Sequence, residues 1–229
     1  YPVADPGLFH GGLLHTSLDG REGHATYAPT SAQVLAQKGY QYWALGHVHK
    51  REVVSKDPWI VFPGNLQGRH AREVRPKGCT LVTVDNGAVA GVEERPVDVL
   101  RWAVCRVDVD GATTTSDVRD RISRALTAEA NRADGRAVAA RVELTGSSAC
   151  HEEIFANPDH WVQEIRALAA GVSSAEVWVE KVRFAMDRPI DLAVLAARDD
   201  ALGSFVRELA AAGDSPDEIA VLREALADV

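Results

Sequence analysis

The tightest constraint on what this 229-residue chain can fold into is a pair of alternating segments separated by a helical pattern. In "RWAVCRVDVDG" (101–111) Ala103, Cys105, Val107 and Val109 share one side, and in "AVAARVELTG" (137–146) Val138, Ala140, Val142 and Leu144 do the same. Successive side chains of a strand point to opposite faces, so each segment reads as a strand with one buried face. Between them Ser116 is placed to cap a helix whose Val118, Ile122, Leu126 and Ala130 recur at steps of four. After the second strand Trp161, Ile165 and Leu168 form another apolar stripe, and "AEVWVEKVRF" (175–184) supplies a third strand. The expected order is β-α-β-α-β over residues 98–188, a small sheet covered on one face by two helices.

The flanking regions differ from this module and from each other. Residues 1–97 read as short strands joined by glycine-rich loops: "YQYWAL", "WIVFPG" and "CTLVTVDNGAV" are aromatic and β-branched runs closed by glycine, proline or Asn-Gly. One helix is expected in "TSAQVLAQKG", opened by a Thr30-x-x-Gln33 capping box and closed at Gly39. From Pro189 the pattern is wholly helical, with Leu202, Phe205, Val206 and Leu209 on one stripe. A second tail helix is expected after the Ser215-Pro216 cap, carrying Ile219, Leu222, Leu226 and Val229. These tail helices, in residues 189–229, either fold back on the module or bind a partner's helices; the sequence leaves both open.

Composition narrows the function classes. With 46% hydrophobic and 25% charged residues, and no apolar run near the ~20 residues that span a bilayer, no membrane anchor is expected. No export signal is apparent, and Cys79, Cys105 and Cys150 are odd in number and far apart, which argues against a disulfide framework or a thiolate zinc site. The expected compartment is the reducing cytoplasm. A start at Tyr1 and a single methionine, Met186, suggest a piece of a longer polypeptide. The net charge is −8, yet nine acids against three arginines after Pro189 leave only −2 for the rest. The stretch "GRHAREVRPKG" (68–78) holds Arg69, Arg72, Arg75 and Lys77 against Glu73 alone. Such a cluster suits phosphates, or is a solvated basic loop.

The candidate chemistry lies in "YWALGHVHKRE" (42–52). Neutral imidazole binds zinc or manganese, and a loop leaving a buried strand holds a ligand on fixed backbone. Gly46 is expected to let the chain turn, and an extended segment would face His47 and His49 toward one cavity. His15 follows the apolar "GGLL" in a similar setting, whereas His10, His24, His151 and His160 have none. The turn "PGNLQGRH" (63–70) is expected to border the site, with Asn65, Arg69 and His70 as candidate substrate-binding residues.

Three segments in order, "GLLHTSLDGREGHATYAP", "GYQYWALGHVHKREVV" and "DPWIVFPGNLQGRHAREVRPKGCTLVTV", resemble the second half of the catalytic domain of calcineurin-like metallophosphoesterases. More narrowly they resemble the bacterial DNA repair exonucleases of the SbcD and YhaO type. The resemblance implies an α/β (α+β) fold: the second half of an αββα sandwich, then a βαβαβ capping domain that orients DNA, then helices that dock on an SMC-like ATPase. A homodimer is compatible with it. The resemblance further implies two divalent ions, usually manganese, with His15 and His47 on one and His49 on the other. Such ions clamp phosphate oxygens and lower the pKa of the attacking water. The family's earlier D-x-H, G-D-x-x-D and G-N-H-D/E motifs are absent from this chain, so it is expected to contain none of the catalytic residues and to bind metal poorly by itself. Two other functions remain open: phosphoester hydrolysis on nucleotides or phosphoproteins, because a metal site is indifferent to what the phosphate carries, and a non-catalytic binding module.

Overall fold

A computed structural model of the chain describes residues 1–20 and 27–212. The fold is α+β and divides into two compact units, 1–187 and 188–229.

The first sheet has the strand order β1-β2-β4-β3, with β1 (Gly11–His15), β2 (Tyr42–Gly46), β3 (Glu52–Lys56) and β4 (Trp59–Phe62). β1, β2 and β4 run parallel, and β3 returns antiparallel along β4. Its core holds Leu18, Leu35, Trp43, Leu45, Ile60 and Phe62, all essentially inaccessible to solvent. Burying side chains of this size stabilises a fold by roughly 1.5–3 kcal/mol each. Trp43 stacks on Tyr40 at 4.6 Å, and a Cβ at Gly12 would lie 2.2 Å from the Trp43 ring, so the edge strand passes the indole only because residue 12 is glycine.

The expected helix here, α1 (Ala32–Ala36), is capped by Ser31, whose side chain accepts from Val34 N–H at 3.2 Å. The cap expected at Thr30 thus falls one residue later. Thr30 is held in a bridge with Leu18, and its carbonyl accepts from Asp19, which leaves Ser31 to open the helix. The segment "CTLVTVDNGAV" is a hairpin of β5 (Gly78–Asp85) and β6 (Ala88–Pro96). Asn86 and Gly87 both have positive φ, 49° and 75°, as a tight two-residue turn demands.

The expected βαβαβ module is present, with one addition. β7 (Leu100–Asp108), β8 (Ala137–Ser147) and β9 (Val177–Asp187) form a parallel sheet in that order. The crossovers are α2 (Thr115–Asn131) and the pair α3 (His151–Ala156) and α4 (Pro158–Ala170). Val118, Ile122 and Leu126 of α2 and Trp161 and Ile165 of α4 pack with Ala103, Cys105, Val107, Val138, Ala140, Val142 and Leu144. The cap of α2 is Thr114, which accepts from Asp117 N–H at 3.2 Å; Ser116 lies inside the helix. Either residue type supplies the hydroxyl, and the extended backbone of Thr114 decides the choice.

The second unit contains α5 (Leu192–Ala196), capped by Asp191, and α6 (Ala201–Ala212). The helix expected after Ser215-Pro216 lies outside the described residues. No helix among the described residues is long and apolar enough to cross a membrane.

Candidate functional site

Parallel pairing fixes where the candidate residues meet. In the register of β1 with β2, His15 stands opposite Gly46, so both strands end at one level and His47 follows directly. β4 ends on the same side, at Phe62, and is followed by the loop 63–77. His15, His47, His49, Asn65, Arg69 and His70 therefore all lie at the carboxyl ends of three parallel strands, the side on which open α/β sheets bind ligands.

His15 and His47 are brought together, with ring centroids 5.3 Å apart and planes at 81°. Gly46 makes this possible by close approach: a Cβ there would lie 2.8 Å from His15 Nδ1. The expectation that Gly46 provides the turn is corrected, because the positive φ falls on His47 itself, at 104°. A non-glycine residue there stores roughly 1–3 kcal/mol of strain, and such positions cluster at functional sites. The Ser17 hydroxyl lies 3.3 Å from His47 Nε2.

The chain bends at His47, the first histidine of the H-x-H sequence. The chain is not extended beyond Gly46, so the alternation expected to aim both rings into one cavity does not apply. His49 instead meets the loop 63–77: its Nδ1 lies 2.9 Å from Glu73 Oε1 and 2.9 Å from Arg69 Nη2. Nδ1 can donate to the carboxylate or accept from the guanidinium, not both at once. An ionised carboxylate beside it favours the Nδ1–H tautomer.

Glu73 organises this loop. Its carboxylate, 8% exposed, accepts from the Arg69 backbone N–H at 2.9 Å, from Asn65 Nδ2 at 3.2 Å and from Arg69 Nη2 at 3.3 Å, and His70 Nε2 stands 3.8 Å away. Burial pushes the carboxyl pKa up, and the hydrogen bonds from Arg69, His49 and Asn65 outweigh it, holding the pKa at about 2. Asn65, Arg69 and His70 are thus set around one buried anion, with Arg69 and His70 reaching solvent. In the sequence alone Glu73 reads only as one negative charge within a basic loop. The signal for its role was its position as the sole acid in that stretch, four residues after Arg69.

His15 and His47 offer two nitrogen donors of a type suited to zinc or manganese. A closed divalent centre needs four or more ligands, and among the described residues no three His, Cys, Asp or Glu side chains are grouped to hold an ion. The pair fits one side of a metal centre, not a whole one.

Two comparisons bear on this strand-end imidazole pair and the α/β module that follows it, and both point to a metallophosphoesterase relationship. Residues 102–187 match the family model described as the middle domain of metallophosphoesterase YhaO. The chain is also 47% identical over 105 residues to the uncharacterized metallophosphoesterase YhaO of Bacillus subtilis (strain 168). That match covers 45% of this chain and spans only 26% of the relative's length.

Proposed function

We propose that the chain is part of a metal-dependent phosphodiesterase that processes DNA ends in double-strand-break repair. The observation that carries this reading is the meeting of His15 and His47 at adjoining strand ends, 5.3 Å apart. In this reading residues 1–97 are the second half of a calcineurin-like sandwich, and His15 and His47 hold one divalent ion, manganese, with ligands from polypeptide outside these 229 residues. A relative nearly four times as long as the matched stretch supports such an addition. His49 serves a second ion through Nε2, its Nδ1 being turned to Glu73; metal-bound histidines commonly keep a carboxylate on the other nitrogen.

When bound, the ions would supply Lewis-acid activation of water and of the phosphate. This chain's own residues bind and orient: Arg69 and His70 meet phosphate oxygens, and Asn65 and Glu73 hold that loop in place. Residues 98–188 orient the DNA, and the helices of 189–229 dock on an SMC-like ATPase.

The test is hydrolysis by the full-length protein with Mn²⁺, comparing bis(p-nitrophenyl) phosphate with linear duplex DNA. Cleavage of both, lost in His15→Ala and His47→Ala, is expected. Hydrolysis of small esters without DNA cleavage would favour a nucleotide or phosphoprotein substrate. Metal binding with no hydrolysis of either would refute the catalytic reading and leave a binding module.

A further inference from the structure

We propose that the open face of the β7–β8–β9 sheet, with the cleft beside it, binds a single strand of nucleic acid, stacking a base on Trp178 and pairing its phosphates with arginines. A cleft of about 660 Å³ runs between the loop 71–76 and the sheet. Seven arginines and two glutamates line it, in a chain whose net charge is −8. A local excess of one sign against an opposite overall charge concentrates anions. Arg101 and Arg132 are held in pairs with Asp98, Asp134 and Glu129, and Arg141 donates through both Nε and Nη2 to Glu180 at 3.0 Å, so the groups turned to a ligand are Arg72 and Arg75 of the loop and Arg106 and Arg183 of the sheet.

Strand alternation assigns these side chains to one face. The helices cover Ala103, Cys105, Val107, Val138, Ala140 and Val142, so Trp102, Arg106, Arg141 and Glu143 point the other way. In register, Arg106 stands opposite Glu143 and Glu143 opposite Arg183, a row across all three strands. Glu143 lies 3.5 Å from Arg106 and 3.3 Å from Arg183, and one carboxylate between two guanidiniums leaves the row positive. Arg106 and Arg183 are 77% and 52% exposed, which lets both reach a phosphate.

Trp178 supplies the other half of the recognition. It stands on β9 opposite Ala139, on this same open face, and is 64% exposed; its Nε1 donates to Glu176 at 3.0 Å. An indole presented to solvent on the same sheet face as a cationic row is an arrangement that stacks bases and tracks a phosphate backbone without reading sequence. Trp178 and Arg183 are five residues apart, roughly 15 Å along the strand, too far for one nucleotide to span both. Stacking also needs an unpaired base, and a cleft within the ~300–1,000 Å³ range of enclosing sites does not admit the convex surface of a duplex. The occupant is therefore a short single-stranded run. This inference rests on the reading of the substrate as DNA and names the form in which the module holds it.

Fluorescence anisotropy of a dye-labelled 12-nucleotide single strand and of its duplex, titrated with the 229-residue chain, tests it. The single strand should bind more tightly than the duplex. Trp178→Ala should weaken it roughly tenfold, the scale of one lost base–aromatic stack. Arg106→Ala with Arg183→Ala should lower the slope of log K against log salt by about 1.4, or ~0.7 for each phosphate contact. Circular dichroism establishes that each variant is folded. Equal or tighter duplex binding, full affinity in Trp178→Ala, absence of binding, or displacement by poly-glutamate as readily as by a competing single strand would each overturn the proposal. Hydrolysis of bis(p-nitrophenyl) phosphate by the full-length protein separates the two readings. Activity without single-strand binding sinks this inference alone, and single-strand binding without activity sinks the catalytic reading alone.

Discussion

Nδ1 of His49 lies 2.9 Å from the Glu73 carboxylate, across 24 residues of sequence, and this contact closes the loop 63–77 onto the end of β2. Glu73→Ala would leave the Arg69 N–H, Asn65 Nδ2 and His49 Nδ1 without their acceptor, and each such loss costs about 1–3 kcal/mol when the group stays buried. Urea unfolding should register a loss of at least about 1–3 kcal/mol, the cost of one such group, and Glu73→Gln, which keeps an acceptor oxygen, a smaller one.

The same carboxylate sets an acid limit. Its folded pKa of about 2 lies below the ordinary glutamate value of 4.5, so Glu73 contributes stability that is fully present above pH 4.5. That contribution is lost as pH falls from about 4.5 toward about 2. The stability difference between wild type and Glu73→Gln should therefore shrink across that window. A difference independent of pH would contradict the assignment.

Asp98 joins the loop to the module. Its buried carboxylate lies 3.2 Å from Arg101 Nε and 3.1 Å from Arg136 Nε, and accepts from the Lys77 N–H at 3.2 Å. Removing one partner of a buried charge cluster strands the others, at about 3–5 kcal/mol. Asp98→Ala should lower the urea midpoint accordingly, and a loss under about 1 kcal/mol would show that the cluster contributes little.

The cysteines should differ in reactivity. Burial, reinforced by Glu129 and opposed by Arg132, pushes the Cys105 thiol up to about 12, and Cys150 is equally inaccessible, whereas Cys79 is partly exposed. With Ellman's reagent at pH 8, one thiol should react in the native protein and two more only after unfolding.

Much of the fold was legible because its determinants are local. Val138, Ala140, Val142 and Leu144 announce a buried strand face by alternation alone, and Val118, Ile122 and Leu126 announce the helix that covers it. The caps were displaced by one or two residues because neighbouring Thr and Ser side chains compete for one role, and backbone pairing at Thr30 settles the competition. The six-residue α3 is not legible because it buries Ile154 alone and so shows no apolar stripe, whereas α4, equally without a side-chain cap, shows one in Trp161 and Ile165. The candidate residues can be picked out in the sequence, but how they are arranged cannot. That His15 meets His47 follows from the parallel register of β1 and β2, and that His49 meets Glu73 follows from a loop folding back; neither leaves a periodic trace. The positive φ of His47 was hidden because the sequence offers a glycine one residue earlier, the residue type such a conformation favours.

The most direct test of the imidazole pair is Mn²⁺ titration of the full-length protein by calorimetry, set beside its His15→Ala and His47→Ala forms. If the two rings share an ion, each substitution should weaken binding by more than the roughly 10–100-fold that loss of an outer-sphere partner costs. Wild-type affinity in both variants would contradict the metal site.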